Sequence, residues 1–151
     1  MAVILDESHV FLGVDLASRE EVFDFVAAKA VELGAASDAA AVLTALNARE
    51  AEGSTGMTGG FAIPHCKCPA VSEPCVMAVR AAGEVAWQTM DGKPVTAAIA
   101  LVIPDGELGT EHLRILSKIA VMLMHEDFCA TVREASDAAT IVAAINEGLE
   151  D

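Results

Sequence analysis

Positive charge is scarce in this sequence. Nine Lys and Arg stand against 23 Asp and Glu, a formal net charge of −14. A surface of that sign repels nucleic acid and anionic lipid, so neither is expected as a direct partner. It suits a protein partner with a basic docking face. Long apolar runs are also missing. The longest, Ala97 to Ile103, falls far short of the roughly 20 residues needed to cross a bilayer. Met1 to Asp6 show no basic segment ahead of their apolar residues and no signal-peptide layout. A cytoplasmic protein is expected. Cysteine is sparse, with four residues (Cys66, Cys68, Cys75 and Cys129), expected as thiols and not as a disulfide framework. No linker, repeat or low-complexity tail is present. Residues 1–151 read as a single domain.

Apolar residues make up 54% of the chain, much of it alanine, which favours closely packed helices and supplies a sizeable core. Val3 to Leu5 and His9 to Leu12 read as a short first strand and its continuation. Ser18-x-x-Glu21 is a capping-box sequence. The helix it opens carries Val22, Phe25, Val26, Ala30 and Leu33 at helical spacing and stops at Gly34. A second helix begins at Ser37 or Asp38, turns Val42, Leu43, Ala45 and Leu46 inward, and runs to about Glu52. Cys75 to Arg80 reads as a strand, Val85 to Trp87 as a short one, and Pro94 to Ile103 as a strongly β-like run. Helices follow from about Thr110 to Met124, Phe128 to Glu134 and Asp137 to Glu147. Strands interleaved with helices predict an α/β fold: a mixed central β-sheet flanked by helices on both faces.

Between the second helix and the middle strands the texture changes. Gly53-Ser-Thr-Gly-Met-Thr-Gly-Gly60 holds four glycines in eight residues and leads into Phe61-Ala-Ile-Pro-His65. Gly59 and Gly60 let backbone N–H groups converge on an anion, and Ser54 and Thr55 add hydroxyls that either contact a phosphate or cap the loop. Arg49, near the end of the preceding helix, offers a guanidinium suited to phosphate oxygens. Pro64 holds Ile63 extended, so His65 ends a rigid run. A neutral imidazole is a competent nucleophile near neutral pH. His112 follows Thr110, a plausible N-cap, in the first turn of a helix whose stripe is Leu113, Leu116, Ile119, Ala120 and Leu123. A helix start favours anions. Arg49, His112 and loop N–H groups together would offset the charge of a transferring phosphoryl group, with no metal required.

Arg49-Glu50, Ser54-Thr55-Gly56-Met57 and Gly60-Phe61-Ala62-Ile63-Pro64-His65 closely resemble the signature of the fructose/mannitol family of phosphotransferase-system IIA domains. Asp91-Gly92-Lys93-Pro94-Val95 and Glu111-His112-Leu113-x-Ile115-Leu116 extend the likeness over nearly the whole chain. The length equals about one such domain, with no fused carrier or membrane module. The resemblance implies an α/β sandwich and a phosphotransferase role in sugar uptake, expected to be of fructose type. His65 would take a phosphoryl group from the phosphocarrier protein HPr. His112 would sit beside it, Arg49 would hold the phosphate, and a cysteine of a IIB component would receive the group. The membrane would be met only through the IIC component, and no cofactor is implied. A nitrogen-related regulatory branch shares the motif, acting as a phosphorylation-dependent switch. Thr58, Phe61 and Cys66 depart from the usual residues at their positions.

Competing readings belong to the same residues. His65-Cys66-x-Cys68 with Cys75 holds zinc-ligand types, but one-residue spacing and Pro69 disfavour a zinc site. Cys66 beside the histidine suggests oxidation sensitivity. Glu50 reads as a loop-fixing or a solvated carboxylate, or as a group that orients Arg49. His9 and His125 match no motif. Trp87 and the phenylalanines are assigned to the core. Phe61 and Met57 are alternatively expected on an apolar rim over which HPr and IIB dock.

Overall fold

The computed structural model describes residues 5–105 and 109–150, with side chains over 5–105 and 113–150. A 3-10 turn at Glu7–His9 precedes β1 (Val10–Val14), α1 (Arg19–Glu32) and α2 (Ala39–Glu52). Short strands β2 (Phe61–Ala62) and β3 (His65–Cys68) follow, then the long strands β4 (Cys75–Val85) and β5 (Val95–Pro104). The chain finishes with α3 (Gly109–Met122), α4 (Glu126–Glu134) and α5 (Ala138–Glu150).

The strands form a mixed sheet in the order β1-β4-β5-β2, with β3 beside β5 as well. β4 and β5 are antiparallel, and β1 on β4 and both β2 and β3 on β5 are parallel. β5 is buried on both faces, hence its nearly unbroken apolar sequence. Ala98, Ala100 and Val102 enter a core built with α1 and α2. Ala97, Ile99, Leu101 and Ile103 enter a second core built with α3, α4 and α5. The period of two thus divides one apolar run between two hydrophobic layers. This is the mixed sheet flanked by helices on both faces that the sequence predicts.

Local chemistry explains where the elements shift from expectation. Val3 and Ile4 lie outside the described residues. Asp6 Oδ1 accepts the Ser8 N–H at 2.9 Å, which favours a turn over an early strand, so β1 starts only at Val10. Ser18 caps α1 by accepting the Glu21 N–H, and Glu21 reaches back to the Ala17 N–H. Its buried face is Val22, Phe23, Val26, Ala27 and Ala30, while Phe25 and Leu33 are half-buried. The two strands expected between Cys75 and Trp87 are one strand reaching Val85. It continues past a register shift between the Arg80–Ala97 and Val85–Val95 pairs.

Candidate functional site

β2 and β3 run along successive stretches of β5, with Ile63 and Pro64 between them. Pro64 has no N–H to give, but its carbonyl accepts the Leu101 N–H at 2.9 Å. His65 is therefore fixed opposite Leu101 at the rim of the sheet. In β3 the side chains alternate. Cys66 and Cys68 pack into the α1/α2 core, so His65 and Lys67 point to the other side.

An open cleft of about 570 Å³ lies at this rim, between α2 and α3. Its lining includes Arg49 and Glu52 from α2, His65 and Lys67 from β3, and Leu113 and Leu116 from α3. His65 is half-buried, with Nδ1 2.7 Å from the Ile63 carbonyl oxygen. A carbonyl only accepts, so Nδ1 carries the proton in this bond. In the neutral ring the basic lone pair then falls on Nε2. Burial lowers the His65 pKa, and the Arg49 charge adds to that. The Ile63 bond and the Glu50 charge oppose it, and the net shift is downward. The ring is held neutral, as a nucleophile needs.

Arg49 is placed by its own loop. One Nη1 hydrogen goes to the Gly53 carbonyl at 2.8 Å. Glu50, the next residue, is only 8% exposed and accepts four hydrogen bonds. The Thr55 N–H reaches both of its oxygens at 3.2 Å, the Thr55 hydroxyl donates at 2.6 Å, and the Trp87 indole N–H donates at 3.2 Å. Of the roles the sequence leaves open for Glu50, these bonds support loop-fixing and exclude a solvated carboxylate, and half-buried Trp87 is its partner as well as a core residue.

Arg49 and His65 thus meet in one cleft, but Ser54, Thr55, Gly59 and Gly60 do not line it. Their hydrogen bonds serve the loop, which for Ser54 and Thr55 is the loop-capping role the sequence also allows. The Ser54 hydroxyl donates to the Gln88 carbonyl and accepts the Gly56 N–H. Thr55 is buried against Glu50. The Gly59 N–H goes to Asp91 Oδ2 at 3.0 Å, and the Gly60 carbonyl accepts from Thr96 and Ala97. Gly59 and Gly60 have φ of +68° and +86°, and this double reversal turns the chain into β2. Gly56 answers to space instead, since a Cβ there would collide with the Gln88 carbonyl and Thr89.

His112 lies in the first turn of α3, as expected, but its side chain is outside the described residues. Phe61 is fully buried in the core beneath α3 to α5, so it is not rim, and Met57 is half-buried against the same layer. The rim is apolar through Leu113 instead. That residue is 62% exposed, while Ile115, Ile119 and Met122 form the buried side of α3. Lys67, Glu52 and Leu113 were not singled out for the site from sequence, although strict alternation in His-Cys-Lys-Cys would have found Lys67. Burial pushes the Cys66 thiol up to about 12, which suppresses the reactive thiolate and argues against oxidation sensitivity. Among the described residues no group of three His, Cys, Asp or Glu side chains is placed to hold a metal ion.

Residues 3–148 match the family described as the phosphoenolpyruvate-dependent sugar phosphotransferase system, EIIA 2. A fructose-specific EIIA component of Haloferax volcanii is 37% identical over 134 residues, covering 89% of this chain and 86% of that protein. The crystal structure of nitrogen regulatory protein IIA-Ntr from Neisseria meningitidis superposes with a TM-score of 0.86 at 31% identity, covering 94% of this chain and 96% of that one. The Escherichia coli mannitol IIA enzyme, solved in complex with phosphorylated IIB, shares the fold with a TM-score of 0.81 at 17% identity, covering 97% and 99%. With a rim histidine held neutral beside an arginine in an α/β sandwich, this chain belongs to the EIIA 2 family of the phosphoenolpyruvate-dependent sugar phosphotransferase system.

Proposed function

We propose that this protein is a phosphocarrier that accepts a phosphoryl group on His65 Nε2 and passes it to a second protein. The observation that carries this is the Nδ1–H bond to the Ile63 carbonyl, which leaves the basic lone pair on Nε2. Phosphorylated HPr is the donor in this reading. As the Nε2–P bond forms, the donor's N–P bond breaks and its electron pair returns to the donor imidazole. In onward transfer a IIB cysteine thiolate attacks the phosphorus, and the Nε2–P electron pair returns to His65. Arg49 faces the transferring group and offsets its charge, with donors beyond the one given to Gly53. His112, in the first turn of α3, is the second histidine of the proposal. Leu113 and Leu116 give partners an apolar surface to seat on.

The acceptor we propose is the IIB component of a fructose-type uptake system, supported by the likeness to the Haloferax volcanii protein. The likeness to IIA-Ntr from Neisseria meningitidis supports a second reading, in which the phosphorylation state of His65 controls a partner protein. The test is intact-protein mass after incubation with phosphoenolpyruvate, enzyme I and HPr, kept away from acid. The wild type gains one phosphoryl group and His65→Ala gains none. A folded wild type that gains nothing overturns the carrier reading. Loss of the label to a fructose-type IIB separates uptake from the regulatory branch.

A further inference from the structure

The His65 ring is not positioned by its own strand alone. Its Nδ1–H donates to the Ile63 carbonyl at 2.7 Å. The Ile63 N–H donates to the Thr55 carbonyl at 3.0 Å. The Thr55 N–H and hydroxyl both donate to Glu50, and so does the Trp87 indole. A continuous path of hydrogen bonds therefore links a buried carboxylate on α2 to the proton that selects the tautomer of His65. No other acceptor for the Thr55 hydroxyl or the Trp87 N–H is present among the described residues.

We propose that Glu50 is a positioning residue for phosphoryl transfer, holding the His65 tautomer and ring angle through Thr55 and Ile63. The inference rests on the phosphocarrier reading for its consequence, but not for its geometry. Three features make Glu50 the anchor. It is a carboxylate, so it accepts several donors at once, which a glutamine in its place could not do without turning its own N–H groups toward other donors. It is buried, so its bonds are strong and costly to break. It follows Arg49 directly, so the same helical turn sets the phosphate-facing guanidinium and the histidine anchor. If the Thr55 carbonyl drifts, Ile63 loses its tether and the Ile63 carbonyl rotates. The competing tautomer, protonated at Nε2, then becomes accessible and has no lone pair on Nε2 with which to attack phosphorus.

Glu50→Gln in the full chain tests this with two readouts. NMR of the His65 ring nitrogens reports tautomer and titration, and the phosphoryl uptake rate reports function. Glu50, Arg49, Lys67 and Glu52 are the charged groups described around the ring. Removing the Glu50 charge, which raises the His65 pKa, should lower it further, and an Nε2–H population should appear. Uptake should fall roughly tenfold to a hundredfold, the scale set by small misplacements of reacting groups. Wild-type uptake in Glu50→Gln overturns the proposal, whether its ring signals show a shifted tautomer or match the wild type. If Glu50→Gln does not fold, Thr55→Val and Trp87→Phe each remove a single donor and should shift the ring signals in the same direction by less. Unchanged ring signals in both would also overturn it. Wild-type protein that takes up no phosphoryl group would refute the carrier reading alone, since the ring readout needs no donor.

Discussion

At the scale of single residues, His65 links chemistry to stability. Its pKa is lowered in the folded state, mainly because burial disfavours the charged ring. The unfolded chain therefore binds this proton first as pH falls. Unfolding free energy rises with pH where the unfolded state holds more protons. The His65 contribution is complete above the unfolded value near 6.5 and is lost as pH falls from there toward the folded value. His65→Gln should flatten this part of the stability curve. Urea unfolding of both proteins from about pH 5 to about pH 8, spanning the histidine range, checks it. The expected outcome is a wild type that loses more stability on acidification than His65→Gln, with the carboxylates and the other histidines cancelling in the comparison. Parallel curves would mean that burial does not perturb the ring. The same window should govern phosphoryl uptake, because the protonated ring has no lone pair to offer.

At the scale of elements, α4 is held in place by a side chain from the sheet. Arg80 Nη1 lies 3.0, 3.2 and 2.7 Å from the carbonyls of Val132, Arg133 and Ala135 at the C-terminal end of that helix. A cation there answers both the orphan carbonyls and the helix dipole. Arg80→Met keeps much of the stem and removes the donors. It should cost about 1–3 kcal/mol, the cost of leaving partly buried acceptors unsatisfied, read as a shift in urea midpoint with unchanged slope. A loss within error would show that water takes over those carbonyls. This contact was invisible in the sequence, because it joins residues more than fifty positions apart. What was legible were local signals: the Ser18 cap, the start of α2 at Ser37 or Asp38, the glycine turn into β2, the apolar run of β5, and the motif that sets Arg49 near His65. Helical phase was read less well: in α1, where Ala27, Ala28 and Ala30 lower the contrast between faces, Phe25 and Leu33 were placed inward and are half-buried, while Phe23 and Ala27 are buried. In α3, Leu113 was placed in a buried stripe and is exposed. The hydroxyls of Ser54 and Thr55 stayed open between phosphate and loop because sequence shows which donors exist and not which acceptors already hold them.

At the scale of the whole molecule, charge and cleft are at odds in a useful way. The chain carries a formal charge of −14, yet Arg49 and Lys67 both line the cleft that holds His65. In the proposed carrier reading, a partner with a basic face would be drawn to the acidic surface from a distance, and the local cations would receive the phosphoryl group once the two have met. Long-range attraction accelerates encounter by roughly ten- to a thousandfold and is screened by salt. The screening length is about 10 Å at 0.1 M ionic strength. Apolar contacts through Leu113 and Leu116 respond little to such screening. Transfer between phosphorylated donor and this protein should therefore slow about tenfold or more as ionic strength rises from about 0.05 M to about 0.5 M, while the extent of transfer at long times changes less. Stopped-flow or rapid-quench measurement across that range checks it. A rate indifferent to salt would assign recognition to the apolar rim alone. A rate that rises with salt would mean that the partner is itself acidic and that screening relieves a repulsion between the two net charges.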